Sequence, residues 1–222
     1  MSSVLRNRAL ISAALIFSLF VYLFAWSPVF QVRDVMVSGL PTQVQESEII
    51  AIAKIANGEK LARIQPRGIS NRLSEIKWIK HSSISRNWIS GEVLIQIQPR
   101  VPVGIFQGKA VDAEGEVFAY PGVLDSNLPV VSASSPELGL TAIALFKTLP
   151  QEIRQDLISL SAFNESSISS WQKMGDRQIK VQWGSMSQIP LKVKVYKALV
   201  ALPENSNIKR VDLSAPHAPI VK

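Results

Sequence analysis

The chain has 222 residues, a formal net charge of +7 and no cysteine. The absence of cysteine excludes disulfides, thiolate nucleophiles and cysteine-ligated metal centres. The positive charge comes without a dense run of Lys or Arg, which argues against a nucleic-acid-binding protein. Beyond an apolar N-terminal segment, the length suffices for one large domain or two small ones.

The apolar segment covers residues 10–26 and carries no charge. As a helix it would measure about 26 Å, close to the roughly 30 Å of a bilayer's hydrocarbon core, so we predict a transmembrane helix. Arg6 and Arg8 precede it, which predicts a cytoplasmic N-terminus and a C-terminal bulk outside the membrane. The run exceeds the length of a signal-peptide core and ends at residues 24–27 (Phe-Ala-Trp-Ser) without a small-residue cleavage site. We therefore favour an uncleaved anchor over a cleaved signal peptide.

The next segment predicts the order strand, helix, helix, strand, strand. Residues 30–37 are rich in valine and predict a strand, but Phe30 and Val32 have the opposite parity to Val35 and Val37, which requires a bulge or twist. Two further strands are predicted at residues 78–86 and at the alternating positions of residues 93–98. Together these elements predict a small α+β domain of about 70 residues.

Both predicted helices of this domain have local start signals. Thr42 with Gln45 resembles a capping box, and the helix after it is predicted to end at Asn57-Gly58. The second helix is predicted to begin near Pro66. Helical spacing relates the apolar residues Ile49, Ile50, Ala53 and Ala56 in the first helix, and Ile69, Leu73 and Ile76 in the second.

The remaining half predicts mostly strands. A hairpin is centred on Glu114-Gly115, and Ser135 followed by Pro136 opens a helix that runs to about residue 148. Strands are predicted at residues 157–163, 179–183 and 208–213. A helix opening at Pro190 precedes the last of them, and its predicted buried face consists of Leu191, Val195, Ala198, Leu199 and Leu202.

Short motifs, taken in chain order, resemble one protein family. They are VMVSG at residues 35–39, GEKL at 58–61, LSEIKWI at 73–79, SISRNW at 83–88, RVPVG at 100–104, VDAEGEVF at 111–118 and VDL at 211–213. This ordered set, behind an N-terminal apolar helix, resembles the bacterial cell-division family FtsQ/DivIB. Ser214 departs from the family pattern, since it stands where family members have an arginine that contacts the partner.

The resemblance implies an α+β protein with four segments. These are a cytoplasmic tail (residues 1–9), a transmembrane helix (10–26), a POTRA domain with a three-stranded sheet and two helices (30–100), and a mostly antiparallel β-domain with two or more helices (101–222). It implies a non-catalytic divisome scaffold without a cofactor, in the bacterial inner membrane at the septum. The implied partners are single-pass proteins like FtsB/DivIC and FtsL, through which such scaffolds help to control septal peptidoglycan synthesis.

We expect the partner to add a strand to an exposed sheet edge. The last predicted strand, residues 208–213, is the expected edge, with Val211 and Leu213 in it and Lys209 and Arg210 supplying positive charge for an acidic partner. Two residues of the preceding helix, Tyr196 and Lys197, are expected to face outward and line the contact.

The sequence gives no sign of catalysis. Its two histidines, His81 and His217, lie in no metal-ligand or hydrolase motif, so we interpret them as surface residues. Among the five tryptophans, Trp171 follows a serine-rich stretch and is expected to be the exposed one. Two alternatives stay open: a POTRA-type export or assembly chaperone component, and a secreted sugar-binding protein or enzyme whose apolar run is removed as a signal peptide.

Overall fold

The computed structural model describes residues 2–25 and 30–222, with the side chains of the first helix described at position 8 and positions 10–22. The chain divides into two compact units, Met1–Arg100 and Val101–Lys222. The first helix, α1, spans Ser2–Ala25. Within the described residues, no helix combines the length and the apolar character that crossing a membrane requires. The predicted end of the apolar run at Trp26 lies outside the described residues.

The first unit contains the expected three-stranded sheet with two helices. After α1 its elements are β1 (Asp34–Ser38), α2 (Glu46–Ala53), α3 (Pro66–Ser74), β2 (Ile79–Arg86) and β3 (Glu92–Pro99). The strand order is β1-β3-β2. β1 runs parallel to β3, as a crossover through two helices allows, and β2 and β3 form an antiparallel hairpin.

One core of aliphatic residues joins the sheet to the two helices. It includes Ile49 and Ala53 of α2, Ile69 and Leu73 of α3, and Ile95 of β3, each at most 2% exposed. The helical spacing therefore marks the buried faces of the two helices at these positions, but the predicted Ala56 is exposed and lies beyond the end of α2. Burial of such aliphatic side chains is the main term that stabilises a domain of this size.

Three local predictions for the first unit are wrong. α2 ends at Ala53 and not at Asn57-Gly58, because Lys54 already has a left-handed backbone conformation with a φ of +53°. The segment predicted as one strand over residues 30–37 is two pieces: Gln31 forms an isolated bridge with Lys60, and β1 begins only at Asp34. This break accounts for the change of parity. Thr42 does not cap α2, whose N-cap is Gln45 without a side-chain hydrogen bond.

The second unit is a nine-stranded mixed sheet with three helices. Its elements are β4 (Gly104–Phe106), β5 (Lys109–Val111), β6 (Val117–Phe118), β7 (Val130–Ala133), α4 (Pro136–Thr148), α5 (Gln151–Gln155), β8 (Leu157–Asn164), β9 (Ser167–Met174), β10 (Arg177–Gly184), α6 (Ile189–Val200), β11 (Arg210–Asp212) and β12 (Ile220–Val221). The strand order is β12-β11-β10-β9-β8-β7-β4-β5-β6. Five of its eight strand pairs are antiparallel, as expected. The other three, β4 with β7, β7 with β8 and β10 with β11, are parallel, which makes the sheet a mixed one.

Several predicted starts and turns in this unit are confirmed. Ser135 is the N-cap of α4, and its hydroxyl accepts a hydrogen bond from the backbone N–H of Leu138. β5 and β6 form the predicted hairpin, in which Gly115 has a φ of +87°. Apolar side chains of the sheet, α4 and α6 pack together in a second core, which includes the fully buried Trp183 and Leu160.

Candidate functional site

The predicted edge strand is not an edge. β11 lies between β10, which it pairs in parallel through Val181 and Val211, and β12, which it pairs antiparallel through Val211 and Val221. The chain reverses after Leu213 and returns as a two-residue strand beyond the proline-flanked His217, so β12 is the last strand of the sheet on this side.

The outer side of β12 offers backbone groups for one more strand. Arg210 and Lys222 exchange both of their backbone hydrogen bonds, N–H to C=O, at 2.9 and 3.0 Å. In an antiparallel pair the intervening residue has its backbone groups turned to the opposite side, so the N–H and C=O of Val221 point away from β11. The side chains of Ile220 and Val221 are 55% and 36% exposed. An exposed apolar edge of this kind is a template for strand addition.

Positive charge lies beside this edge. Arg210 is exposed and lies opposite Lys180 in the register of β10 and β11, and its guanidinium lies 3.4 Å from the carboxylate of Asp212. Lys209, also exposed, lines a groove of about 350 Å³ together with Trp171. Trp171, on strand β9, is 39% exposed, which confirms that it reaches the surface.

Val211 and Leu213 cannot touch a partner directly. Both are fully buried in the core of the second unit, with Trp183 and Val181. Their prediction as contact residues is wrong because alternation along a strand places them on the inner face, while Arg210 points to the outer one. A charged substitution at either position would test folding rather than recognition.

The face of α6 is also different from the predicted one. Tyr196 is buried, with its ring centroid 5.8 Å from that of Trp183, whereas Lys197 faces outward as expected and forms an ion pair with Glu152. The hydrogen bond from Lys197 lowers the pKa of that carboxyl. Of the residues predicted for the buried face, Leu191, Val195 and Leu199 are only half-buried. Ala198 and Leu202 are exposed, and Leu202 lies beyond the end of α6.

A buried lysine explains why α6 buries a different face from the predicted one. Lys192 is 0% exposed, and its ammonium donates to the carbonyl oxygens of Trp183 and Ser185 at 2.7 and 2.8 Å. Burial lowers the pKa of Lys192. The charged side chain of Lys192 therefore points into the protein, where backbone carbonyl oxygens at and just after the end of β10 accept its hydrogen bonds. An apolar periodicity carries no signal for such a position.

The end of β10 lies close to Ser214, the second residue after β11. A Cβ on Gly184, whose φ is +71°, would lie 3.0 Å from the Cα of Ser214. The backbone N–H of Ser214 donates to the side chain of Asp212 at 3.0 Å. Ser214 thus sits at the turn that leads out of β11, beside the candidate edge rather than in it.

Within the described residues, no group of three or more His, Asp or Glu side chains could hold a metal ion. His81, on β2, and His217, between β11 and β12, are both exposed. The chemistry that this region of the second unit offers is therefore backbone hydrogen bonding, apolar contact and positive charge.

The comparisons with known proteins agree with this architecture. A family model for "POTRA domain, FtsQ-type" matches residues 30–100, and one for "Cell division protein FtsQ/DivIB, C-terminal" matches residues 100–214. The chain is 30% identical over 237 residues to a cell division protein FtsQ of Streptomyces bingchenggensis, covering 97% of this chain and 86% of that protein. It is 26% identical over 205 residues to the FtsQ of Mycolicibacterium smegmatis, covering 89% of this chain and 59% of that protein. The chain therefore belongs to the FtsQ/DivIB family of bacterial cell-division proteins.

Proposed function

We propose that this protein is a non-catalytic, membrane-anchored scaffold of the divisome that captures a partner by strand addition at β12. The observation that supports it most is the outward-facing backbone of Val221 beside the exposed side chain of Ile220. Main-chain hydrogen bonds would supply affinity and the neighbouring side chains would supply selectivity. Membership of the family supports a role in cell division.

The positive charge beside the edge and the membership of the family indicate which kind of partner binds there. Lys209 and Arg210 flank the edge and favour an added strand with acidic residues near it. FtsB/DivIC-like and FtsL-like single-pass proteins are the proposed partners, and control of septal peptidoglycan synthesis is the proposed outcome. Tyr196 has no direct role in this contact, because it is buried, and Lys197 lies on the outer side of α6.

The proposed location is the inner membrane at the septum, with a cytoplasmic N-terminus. Support comes from α1, whose described side chains from Leu10 to Tyr22 are exposed and nearly all apolar. A helix that is apolar on all sides needs an apolar environment, and the adjacent uncharged residues of the sequence extend the run to position 26. Arg6 and Arg8 supply the positive charge expected on the cytoplasmic side.

The proposal is tested by a proline at the outward-facing position. Val221→Pro removes one N–H that points away from β11, so the β11–β12 pairing keeps its hydrogen bonds while an added strand loses a donor. We expect Val221→Pro to reduce co-purification of the small division proteins at least about tenfold, the equivalent of roughly 1.4 kcal/mol. The matched variant Val221→Thr retains the N–H and a β-branched side chain, and should capture them normally.

A photoreactive residue at Ile220 in the full-length protein should cross-link to the captured partner. The control position is Phe163, which is 82% exposed on β8 of the same unit and should stay silent. Normal capture by Val221→Pro, together with equal cross-linking at both positions, would contradict strand addition at β12.

A further inference from the structure

We propose a second binding site in the β-domain, in which Arg154 receives the carboxylate of an acidic side chain on a peptide segment of a partner protein. The site is a groove of about 430 Å³ beside α5, at the start of β7 and β8. Three strands, β9, β10 and β11, separate β8 from β12 in the sheet, so this groove is distinct from the proposed edge site.

Arg154 has a donor that nothing in the described part of the chain satisfies. Its Nε is buried and has no hydrogen-bond acceptor. The guanidinium carbon lies 5.7 Å from the ring centroid of Phe146, a cation–π contact that leaves the N–H groups unused. Arg154 as a whole is half-buried and lines the groove, so a carboxylate in the groove can reach the guanidinium and give its unused donors an acceptor.

Two other arginines of the chain have a structural role, because their guanidinium groups donate hydrogen bonds to backbone carbonyls. Arg72 donates to the backbone carbonyls of Ile52 and Ala53 at the end of α2. Arg86 donates to two further backbone carbonyls, both at 3.0 Å. Each of these guanidinium groups holds two segments together. Arg154 makes no comparable bond within the described residues, so the same interpretation does not fit it.

The remainder of the groove suits an extended peptide. No carboxylate of the described residues lines it, so the charge of Arg154 is not neutralised locally. Val130 and Ile158 present apolar side chains that are 45% and 40% exposed. The exposed Gln151 and Gln155 supply amide groups that can pair with a peptide backbone. A glutamate next to a leucine or isoleucine matches this combination, because Arg binds carboxylates through paired hydrogen bonds while the apolar neighbour covers the exposed aliphatic surface.

The test uses the full-length protein in detergent micelles with selectively labelled arginine. The probe is acetyl-Leu-Glu-Leu amide, and its matched control is acetyl-Leu-Gln-Leu amide, which has the same shape without the charge. We expect the Nε–H resonance of Arg154, assigned by its loss in Arg154→Met, to shift with the glutamate peptide only. The resonance of Arg67, exposed on α3, should stay in place.

The variants separate recognition from packing. Arg154→Met should retain a thermal midpoint equal to or above that of the unmodified protein, because it removes an unsatisfied donor and puts a thioether, which also packs well on aromatic rings, in place of the guanidinium beside Phe146. A fall of its midpoint as large as that of Arg72→Met would overturn the proposal in favour of a structural role. An unmoved Arg154 resonance, equal shifts with both peptides, or an equal shift with sodium acetate would also overturn the assignment to an acidic peptide. None of these results depends on capture at β12.

Discussion

At the scale of single residues, Gly39 shows how closely two backbones can approach. It follows β1 with a φ of +81°, and a Cβ placed on it would lie 2.0 Å from the carbonyl oxygen of Ile97 in β3. Gly58 has nearly the same φ, +82°, but nothing within 4 Å of the added atom. The two positions therefore share the conformational cost of a side chain at positive φ and differ only in the clash.

We expect Gly58→Ala to destabilise the first unit by about 1 kcal/mol, from backbone strain alone. Gly39→Ala should cost clearly more, because β1 must also move away from β3. Native-state hydrogen exchange of peptides from residues 30–100 measures both variants in the full-length protein. Equal losses of protection in the two variants would contradict the close approach at Gly39.

Tyr196 gives the second unit a dependence on alkaline pH. Burial, with a smaller contribution from the negative charge of Asp156, raises the pKa of Tyr196 to about 12. Between pH 10 and about 12 an unfolded chain ionises this tyrosine while the folded chain keeps it protonated, so the unfolded state gains free energy and stability falls. Below pH 10 Tyr196 is protonated in both the folded and the unfolded chain, so it causes no loss of stability there.

Tyr196→Phe removes this ionisation and keeps the ring beside Trp183. We therefore expect urea unfolding, monitored by hydrogen exchange of the second unit, to show a smaller loss of stability from pH 9.5 to 11 in the variant than in the unmodified protein. Parallel curves for the two proteins would show that the hydroxyl ionises at its ordinary pKa in the folded state.

Among the helices and strands, α2 has its C-terminal end capped by the side chain of Arg72 from α3. The last carbonyls of a helix lack intrahelical partners, and Arg72 satisfies those of Ile52 and Ala53. Arg72→Met should lower the free energy of unfolding of the first unit by about 1–3 kcal/mol, as expected for two hydrogen bonds to a charged donor at a partly exposed site. Exposed Arg67 on the same helix provides the control.

Arg67→Met should change stability little, because the residue is exposed on the surface of α3. Hydrogen exchange of residues 46–53 reports on α2 directly, and we expect its protection to fall in Arg72→Met only. Similar protection of α2 in both variants would contradict the role of Arg72 as the link between the two helices.

Helices and strands could be predicted from the sequence where all the residues of their buried face are apolar. Ile69 and Leu73 repeat at helical spacing because nothing polar interrupts the buried face of α3, and the sequence therefore predicts that helix and its start at Pro66. β9 lacks a counterpart among the predicted strands because its inner positions include Ser170, whose hydroxyl accepts a hydrogen bond from Trp183 at 2.8 Å, and Gln172. The inward Lys192 hid the buried face of α6 for the same reason: polar groups satisfied inside the protein leave no apolar signal.

At the scale of the whole molecule, the ordered motifs predicted the family, and the comparisons confirm it. The predicted edge strand, β11, lies one strand inside the end of the sheet, because β12 pairs with its outer side. A strand of two residues, such as β12, is too short for any periodicity, and Pro219 immediately before it favours a loop. For this reason the predicted contacts fell on Val211 and Leu213, which form part of the core, and none was predicted at the exposed Ile220 and Val221.

The proposed membrane topology can be tested by cysteine labelling, because the chain contains no cysteine of its own. Single cysteines can be introduced at Ser2, in the proposed cytoplasmic tail, and at Ser166, which is exposed in the second unit. If α1 anchors the protein with its N-terminus in the cytoplasm, a membrane-impermeant maleimide should label Ser166→Cys in intact protoplasts and Ser2→Cys only after permeabilisation. Alkaline carbonate should leave the protein in the membrane pellet, because an inserted apolar helix resists extraction. Release of a chain that begins near Ser27, or labelling of both cysteines in intact cells, would contradict the anchor and favour a cleaved signal peptide or the reverse orientation.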